Sequence, residues 1–538
     1  VIRLILASII SSALYVFSFA PWSTHLPYLS FLQLIAFVPV ILELDRAKFS
    51  LRKTVLAGYL VGLGITVGGF YWIIYAVQQY GGLPFSAALG VFLAFCLIAQ
   101  LQVPIYFAIR KKALERISSR HWIFISGLIY AAIESTYPKL FLDTAGHAFS
   151  ASLYFSQIAD LGGVFFITAL VITFAESIAY AIRNERRHFA IPAFLFIFGI
   201  SYGAWRVHQI APLIESQKQK STLTVGLVQA NIGDYLKIAA EQGLDNASGK
   251  VIQEYLKTSS LAIDRGKQRF GVTPDALVWP ETAYSALFGK PIRTDEHLME
   301  TQLREFSSNY PGTMIFGGYD QEDQRFDYNS IFFLPNQEAK LYQKTKAYHK
   351  NILLMFGETL PFSETFPSIK SWFPTMGFFG RGPGPEVYGV RSIAGNEFKL
   401  APSICYEGLF PYFSYEGARL GADAFLNVTN DSWFGRDGEP YLHFALTRFR
   451  TIENRLPMIR STNTGISASI DPLGRVTDQT GLFVSDVLIT QITPKLGLTT
   501  PYQLLAGVFG PSWFERFCQI IFLLLGAWFW RAPKNHRT

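Results

Sequence analysis

Apolar and polar positions divide this chain into two kinds of segment. Apolar stretches of spanning length, at about 20 residues per bilayer crossing, run over 3–20, 27–43, 54–79, 84–109, 121–137, 160–182, 189–206 and 515–530. No such stretch occurs between Ser221 and Tyr502, where short β-rich runs alternate with polar helical segments. STLTVGLVQANI, TPDALVWPE, TMIFGGYD, NSIFFLP, EFKLAPSICYE, GADAFLNVTN, PMIRSTNTGISASID and VSDVLITQI predict strands bounded by Gly, Pro, Asn or Asp. DNASGKVIQEYLKTSSLAIDRGK and DEHLMETQLREFSS carry the 3.6-residue period of amphipathic helices. The pattern predicts a membrane domain of seven transmembrane helices over 1–206 and a layered α/β domain over 207–510. A last transmembrane helix and tail follow over 511–538, making a polytopic domain of eight spans.

Composition agrees. Charged residues are 16% of the 538, against about 25% in soluble proteins, too few to cover several soluble domains. Disorder, collagen and, with only 3 Cys, a disulfide scaffold are excluded. The net charge of +7 is an orientation signal, not a nucleic-acid footprint. Arg46, Lys48, Arg52 and Lys53 follow the second span, and Arg110, Lys111, Lys112, Arg116 and Arg120 the fourth. Arg183, Arg186 and Arg187 follow the sixth, and Arg531, Lys534 and Arg537 the last. The intervening loops hold essentially only Lys139. This alternation predicts cytoplasmic termini and an α/β domain outside the cytoplasm, which in a bacterium is the periplasm. The first span is expected to be an uncleaved anchor, because further spans follow in strict charge alternation. Glu134 and Glu176, inside spans, are expected to be structural.

Cys96 and Cys518 lie in spans and read as packing residues. Cys405 is the one cysteine of the α/β domain, in a compartment where a lone thiol is usually avoided. It ends the strand KLAPSI and is followed by the turn residues Tyr406, Glu407 and Gly408. It reads either as a buried small hydrophobe or as a nucleophile exposed at a strand-to-turn junction. A nucleophile needs a base and an oxyanion stabiliser. His349 and His443 lack a supporting motif. Glu281 closes ALVWPE, as a cap or as a base. Lys350 enters the apolar run KAYHKNILLMFGE, eight residues before Glu358, and either snorkels or serves the site. No Cys/His cluster has metal spacing, GRGPG opens no helix, and no cofactor or metal is expected.

Taken together, VWPET, YHK…FGE and SICYE resemble the Glu–Lys–Cys triad of the nitrilase superfamily of carbon–nitrogen hydrolases, with Glu281, Lys350 and Cys405 in that order. VQANI at 228–232, NVTNDSWFG at 427–435 and RSTNTGISASIDPLG at 460–474 resemble further segments of that superfamily. The flanking spans, with FAPW at 19–22, GGFYWIIYAVQQYGGLP at 68–84 and YPKL at 137–140, resemble its apolipoprotein N-acyltransferase branch in the bacterial inner membrane.

The resemblance implies an extracytoplasmic αββα sandwich and acyl transfer through a thioester on Cys405. The donor would be a membrane phospholipid. The acceptor would be the N-terminal amine of diacylglyceryl-cysteine on an apolipoprotein. Glu281 would be the general base, and Lys350 with the N–H of Tyr406 would hold the oxyanion. Glu358 would orient the lysine, and Tyr406 and Glu407 would shape the acceptor side. The aromatic, glycine-rich segment 371–389, with Trp372, Phe373, Met376, Phe378 and Phe379, reads as a lid dipping into the interface or as an ordinary packed loop. One departure concerns Ile238, which stands where that branch commonly carries Trp. Two other classes compete: a membrane-tethered amidase or nitrilase that passes its thioester to water, and a catalytically silent scaffold or transporter.

Overall fold

In the computed structural model, the described residues are 1–531 except 48, 245–246, 323–326, 343–344, 356, 361, 363–364, 367 and 369–377. They form two compact units that are not contiguous in sequence. One comprises Val1–Ile210, Asp437–Glu453 and the chain from Thr499 onward, and the other Ala211–Arg436 and Asn454–Leu498.

The first unit is helical, with helix at each of the eight apolar stretches. Among the described residues, four helices are long and apolar enough to cross a membrane: Pro27–Arg46, Phe85–Ala113, Phe155–Arg183 and Arg186–Lys220. Two bent pairs raise that number to six if each is one span: Leu51–Gly69 with Ile73–Gln79, bent by 53°, and Pro501–Phe509 with Trp513–Trp528, bent by 65°. The second bend falls at Gly510, φ 89°, and Pro511, which between them break the helical ladder. Ile2–Ser18 is shorter, at 17 residues. Ion pairs neutralise several of the charges buried in this unit. Arg110 meets Asp45 at 2.7 Å and Glu176 at 2.6 Å, and Lys139 meets Glu134 at 3.2 Å. Glu134 and Glu176 thus take the structural role expected of them.

The second unit is built on thirteen strands among the described residues. These are β1 Leu223–Gln229, β2 Ala276–Val278, β3 Tyr284–Leu287, β4 Thr313–Asp320, β5 Tyr328–Pro335, β6 Lys346–His349, β7 Tyr388–Arg391, β8 Glu397–Ile404, β9 Ala424–Thr429, β10 Met458–Thr462, β11 Ala468–Ile470, β12 Val476–Gln479 and β13 Asp486–Ile492. One sheet has the order β13-β1-β2-β4-β5-β6, with β3 added on β4, and the other β12-β11-β10-β9-β8-β7. Each has a parallel centre, β1-β2-β4 and β8-β9-β10, flanked by antiparallel strands. The predicted strand PMIRSTNTGISASID is in fact a hairpin, β10 and β11.

Leu227, Val278, Ile315 and Ile331 of the first sheet and Leu400, Ile404, Leu426 and Ile459 of the second pack into one fully buried core between the sheets. The helices Ala247–Phe270 and Thr294–Asn309 cover the outer face of the first sheet through Val251, Ile252, Tyr255, Met299 and Leu303. Pro411–Arg419 packs against β8 on the second sheet. The layering is the expected α–β–β–α.

Candidate active site

β2 runs into Trp279-Pro280. The buried Trp279 ring stacks on Tyr255 with centroids 4.9 Å apart and donates Nε1–H to Ser259 Oγ at 2.8 Å. That anchorage fixes Glu281 at the strand end, where it is 7% exposed. Thr282 follows at φ 50°, a left-handed conformation unusual for a β-branched residue. β4 passes so near this turn that a Cβ on Gly317 would stand 2.5 Å from Pro280 O and 2.7 Å from Glu281 Cα. Glycine is what lets the two backbones approach.

β6 delivers Lys350, 1% exposed, whose N–H donates to Asn329 O on β5 at 2.8 Å. Its Nζ donates to Glu358 Oε1 at 2.8 Å and Glu281 Oε1 at 3.2 Å. Asn329 Nδ2 donates to the same two oxygens, at 2.9 and 2.8 Å. One ammonium and one amide therefore bridge two carboxylates that would otherwise repel. The second oxygens take backbone donors: Glu281 Oε2 accepts from Asn430 N at 3.0 Å, and Glu358 Oε2 from Leu354 N at 2.9 Å. Burial opposes the charge on Lys350, but Glu281, Glu358 and Cys405 outweigh it and hold its ammonium well above the ordinary lysine range. Lys350 is therefore a fixed cation, suited to stabilising negative charge.

Cys405 opens the turn Cys405–Leu409 directly after β8, at φ 51°. A left-handed cysteine at a strand end is strained, and such strain gathers at functional sites. Burial pushes its thiol well up, with Glu281 adding to the effect; Lys350 pulls the other way, Asp431 again raises it and the Thr429 hydroxyl lowers it. The neutral thiol is thereby favoured, and to act as a nucleophile it would need a base.

Glu407 is fully buried. Its Oε2 accepts from Ile404 N and Tyr348 Oη, both at 2.7 Å, and its Oε1 from Asn351 N at 2.5 Å and Ile352 N at 3.1 Å. It braces the Cys405 turn against the segment that follows Lys350. Burial raises its carboxyl to about 7 even against these donors. Tyr406 is partly exposed and packs edge-on against Phe410, centroids 5.1 Å apart. Beneath the turn, Asn427 Nδ2 reaches Ser403 O at 3.3 Å and Cys405 O at 3.4 Å. Buried Arg460 holds Asn427 Oδ1 and lies 3.1 Å from Asp431 Oδ2.

Phe378 and Phe379 are partly buried; the Phe379 ring stacks on Tyr319 at 5.7 Å, and its N–H donates to Glu358 O at 3.4 Å. Trp372, Phe373 and Met376 lie outside the described residues. Ile238 is 37% exposed on the helix Asp234–Glu241, while its neighbour Lys237 is buried. His349, without a motif in the sequence, bonds Asp320 Oδ2 at 3.0 Å. Sequence reasoning singled out neither Asn329 nor Lys237. Asn430 and Arg460 lie inside the NVTND and RSTNTG segments, which could have pointed to them.

The two-sheet unit is that of a carbon–nitrogen hydrolase, and the family model described as carbon-nitrogen hydrolase matches residues 224–502. Residues 11–176 match a second model, the apolipoprotein N-acyltransferase N-terminal domain. The apolipoprotein N-acyltransferase of Bdellovibrio bacteriovorus is 31% identical, over 96% of this chain and 92% of its own length. Those of Geobacter metallireducens and Vibrio cholerae are 28% and 29% identical, over 86% and 89% of this chain and 85% and 90% of their own. The chain belongs to the apolipoprotein N-acyltransferase family.

Proposed function

We propose that this membrane enzyme moves an acyl chain from a phospholipid to the N-terminal amine of a diacylglyceryl-cysteine apolipoprotein, through a thioester on Cys405. Glu281 removes the thiol proton, and the sulfur attacks an ester carbonyl of the phospholipid. The oxyanion forms against Lys350 Nζ and the Tyr406 N–H. Collapse expels the lysophospholipid alkoxide, which takes the proton from Glu281. The acceptor α-amine then attacks the thioester, Glu281 takes its proton, and the departing thiolate receives that proton from Glu281. The accounting closes on a free enzyme, and the kinetics are ping-pong.

The observation that carries this reading is the single ammonium of Lys350 bonded to both Glu281 and Glu358 beside a buried, left-handed Cys405. The apolar helices favour a lipid donor over the soluble substrates of an amidase. The alternation of Lys and Arg supports eight crossings, cytoplasmic termini and a catalytic unit in the periplasm.

Intact-protein mass spectrometry after incubation with defined phospholipids tests the chemistry. One hydroxylamine-labile acyl chain is expected on the wild type and none on Cys405→Ala. No adduct on folded wild type with any phospholipid would remove the acyl-enzyme and favour an amidase.

A further inference from the structure

Glu281 is held from both sheets, and one buried lysine touches both holds. Lys237 extends from the helix Asp234–Glu241 and is 6% exposed. Its Nζ donates to Thr282 Oγ1, and that hydroxyl donates to Glu281 O at 2.9 Å. On the other side stands Asn430, immediately after β9, whose backbone N–H donates to Glu281 Oε2. With the Asn430 amide oriented to satisfy both its ends, its Oδ1 accepts from Lys237 Nζ at 2.9 Å and from Trp433 Nε1 at 3.2 Å. Lys237 therefore joins the left-handed turn of the first sheet to the loop of the second that fixes the carboxylate's outer oxygen.

Burying an ammonium is costly, and it is retained where its hydrogen bonds are well formed. Thr282 at φ 50° is a conformation the chain leaves readily unless something holds it. If that turn relaxes, Glu281 rotates away from the sulfur although every atom of the triad is still present. We propose that Lys237 is a positioning residue for the general base, tying Thr282 to Asn430 and so clamping Glu281 between the two sheets. The inference rests on the reading of Glu281 as the proton acceptor.

The test uses the full-length protein in detergent and follows acylation of Cys405 by a fluorescent phospholipid over time. Lys237→Met should lower the acylation rate constant by roughly 30- to 100-fold, the scale expected for a displaced catalytic group. The apparent KM for the phospholipid should stay within about twofold, because Lys237 does not contact it in this reading. Thr282→Val should produce a similar loss. The double variant should be no slower than either single one, since both break the same tie. Lys237→Arg, which keeps the charge and the donors, should recover most of the rate. Acylation within threefold of wild type in Lys237→Met overturns the proposal. So does additive loss in the double variant, or a raised KM at unchanged rate constant. Absence of acylation in the wild type would instead overturn the acyl-enzyme reading.

Discussion

Tyr348 Oη donates to Glu407 Oε2 at 2.7 Å, joining the strand that leads into Lys350 to the turn that begins at Cys405. Glu407→Ala would leave the N–H groups of Ile404, Asn351 and Ile352 without this acceptor in a buried site. At about 1–3 kcal/mol for each unsatisfied group, a loss of several kcal/mol is expected by denaturant titration. Cys405 acylation should fall at least roughly a hundredfold. Tyr348→Phe removes only one bond and should cost about 1 kcal/mol.

Stability should also respond to pH through Glu407. Burial raises its carboxyl to about 7, above its value in the unfolded chain. The folded state therefore binds the proton more tightly, and this contribution is full below about pH 4.5 and lost as pH rises towards 7. It amounts to about 3 kcal/mol at most. Melting curves between pH 4.5 and 7.5 should show this decline in wild type and a flatter profile in Glu407→Gln. Equal slopes in the two would remove Glu407 as the cause.

Lys350→Met should abolish acylation by at least about 10²–10³, the range for loss of one oxyanion donor. It also removes the cation that lowers the Cys405 thiol against burial and Glu281, so that thiol should titrate higher still. Iodoacetamide should then alkylate Cys405 more slowly than in wild type at the same pH, as followed by mass. Faster alkylation would contradict the electrostatics described here.

Gly317→Ala places a methyl 2.5 Å from Pro280 O, so the Glu281 turn must move. The fold should survive, because the strain is local. Acylation should fall by roughly tenfold or more while the melting temperature drops by only a few degrees.

Sequence periodicity located most of the long strands because half-buried and fully buried strands read directly as apolar runs between turn residues. β4 coincides with the predicted TMIFGGYD, and β9 lies within GADAFLNVTN. β3, β7 and β12 were missed: each has only four residues, too few for a period to register. β6 was hidden because Lys350 and the apolar run after it read as one segment. Glu281, Lys350, Glu358 and Cys405 were legible through motif order. The supports were not. Asn329 looks like any strand-opening Asn, and the buried state of Lys237 and Glu407 depends on partners distant in sequence. The helix Glu439–Asn454 was also missed, and Asp437–Glu453 belongs to the helical unit although it falls inside the predicted α/β stretch.

Glu281 follows a strand of the first sheet and Cys405 a strand of the second, so the separation of the two side chains follows the spacing of the two sheets. The proposed reaction is therefore a gauge of inter-sheet spacing. Trimming Leu426 or Ile315, both fully buried in that filling, alters the thickness of the sandwich without touching a polar atom of the site. In the proposed reaction, turnover would register such thinning while the protein is still folded, so the hydrophobic centre of the unit would set the site's geometry as well as its stability.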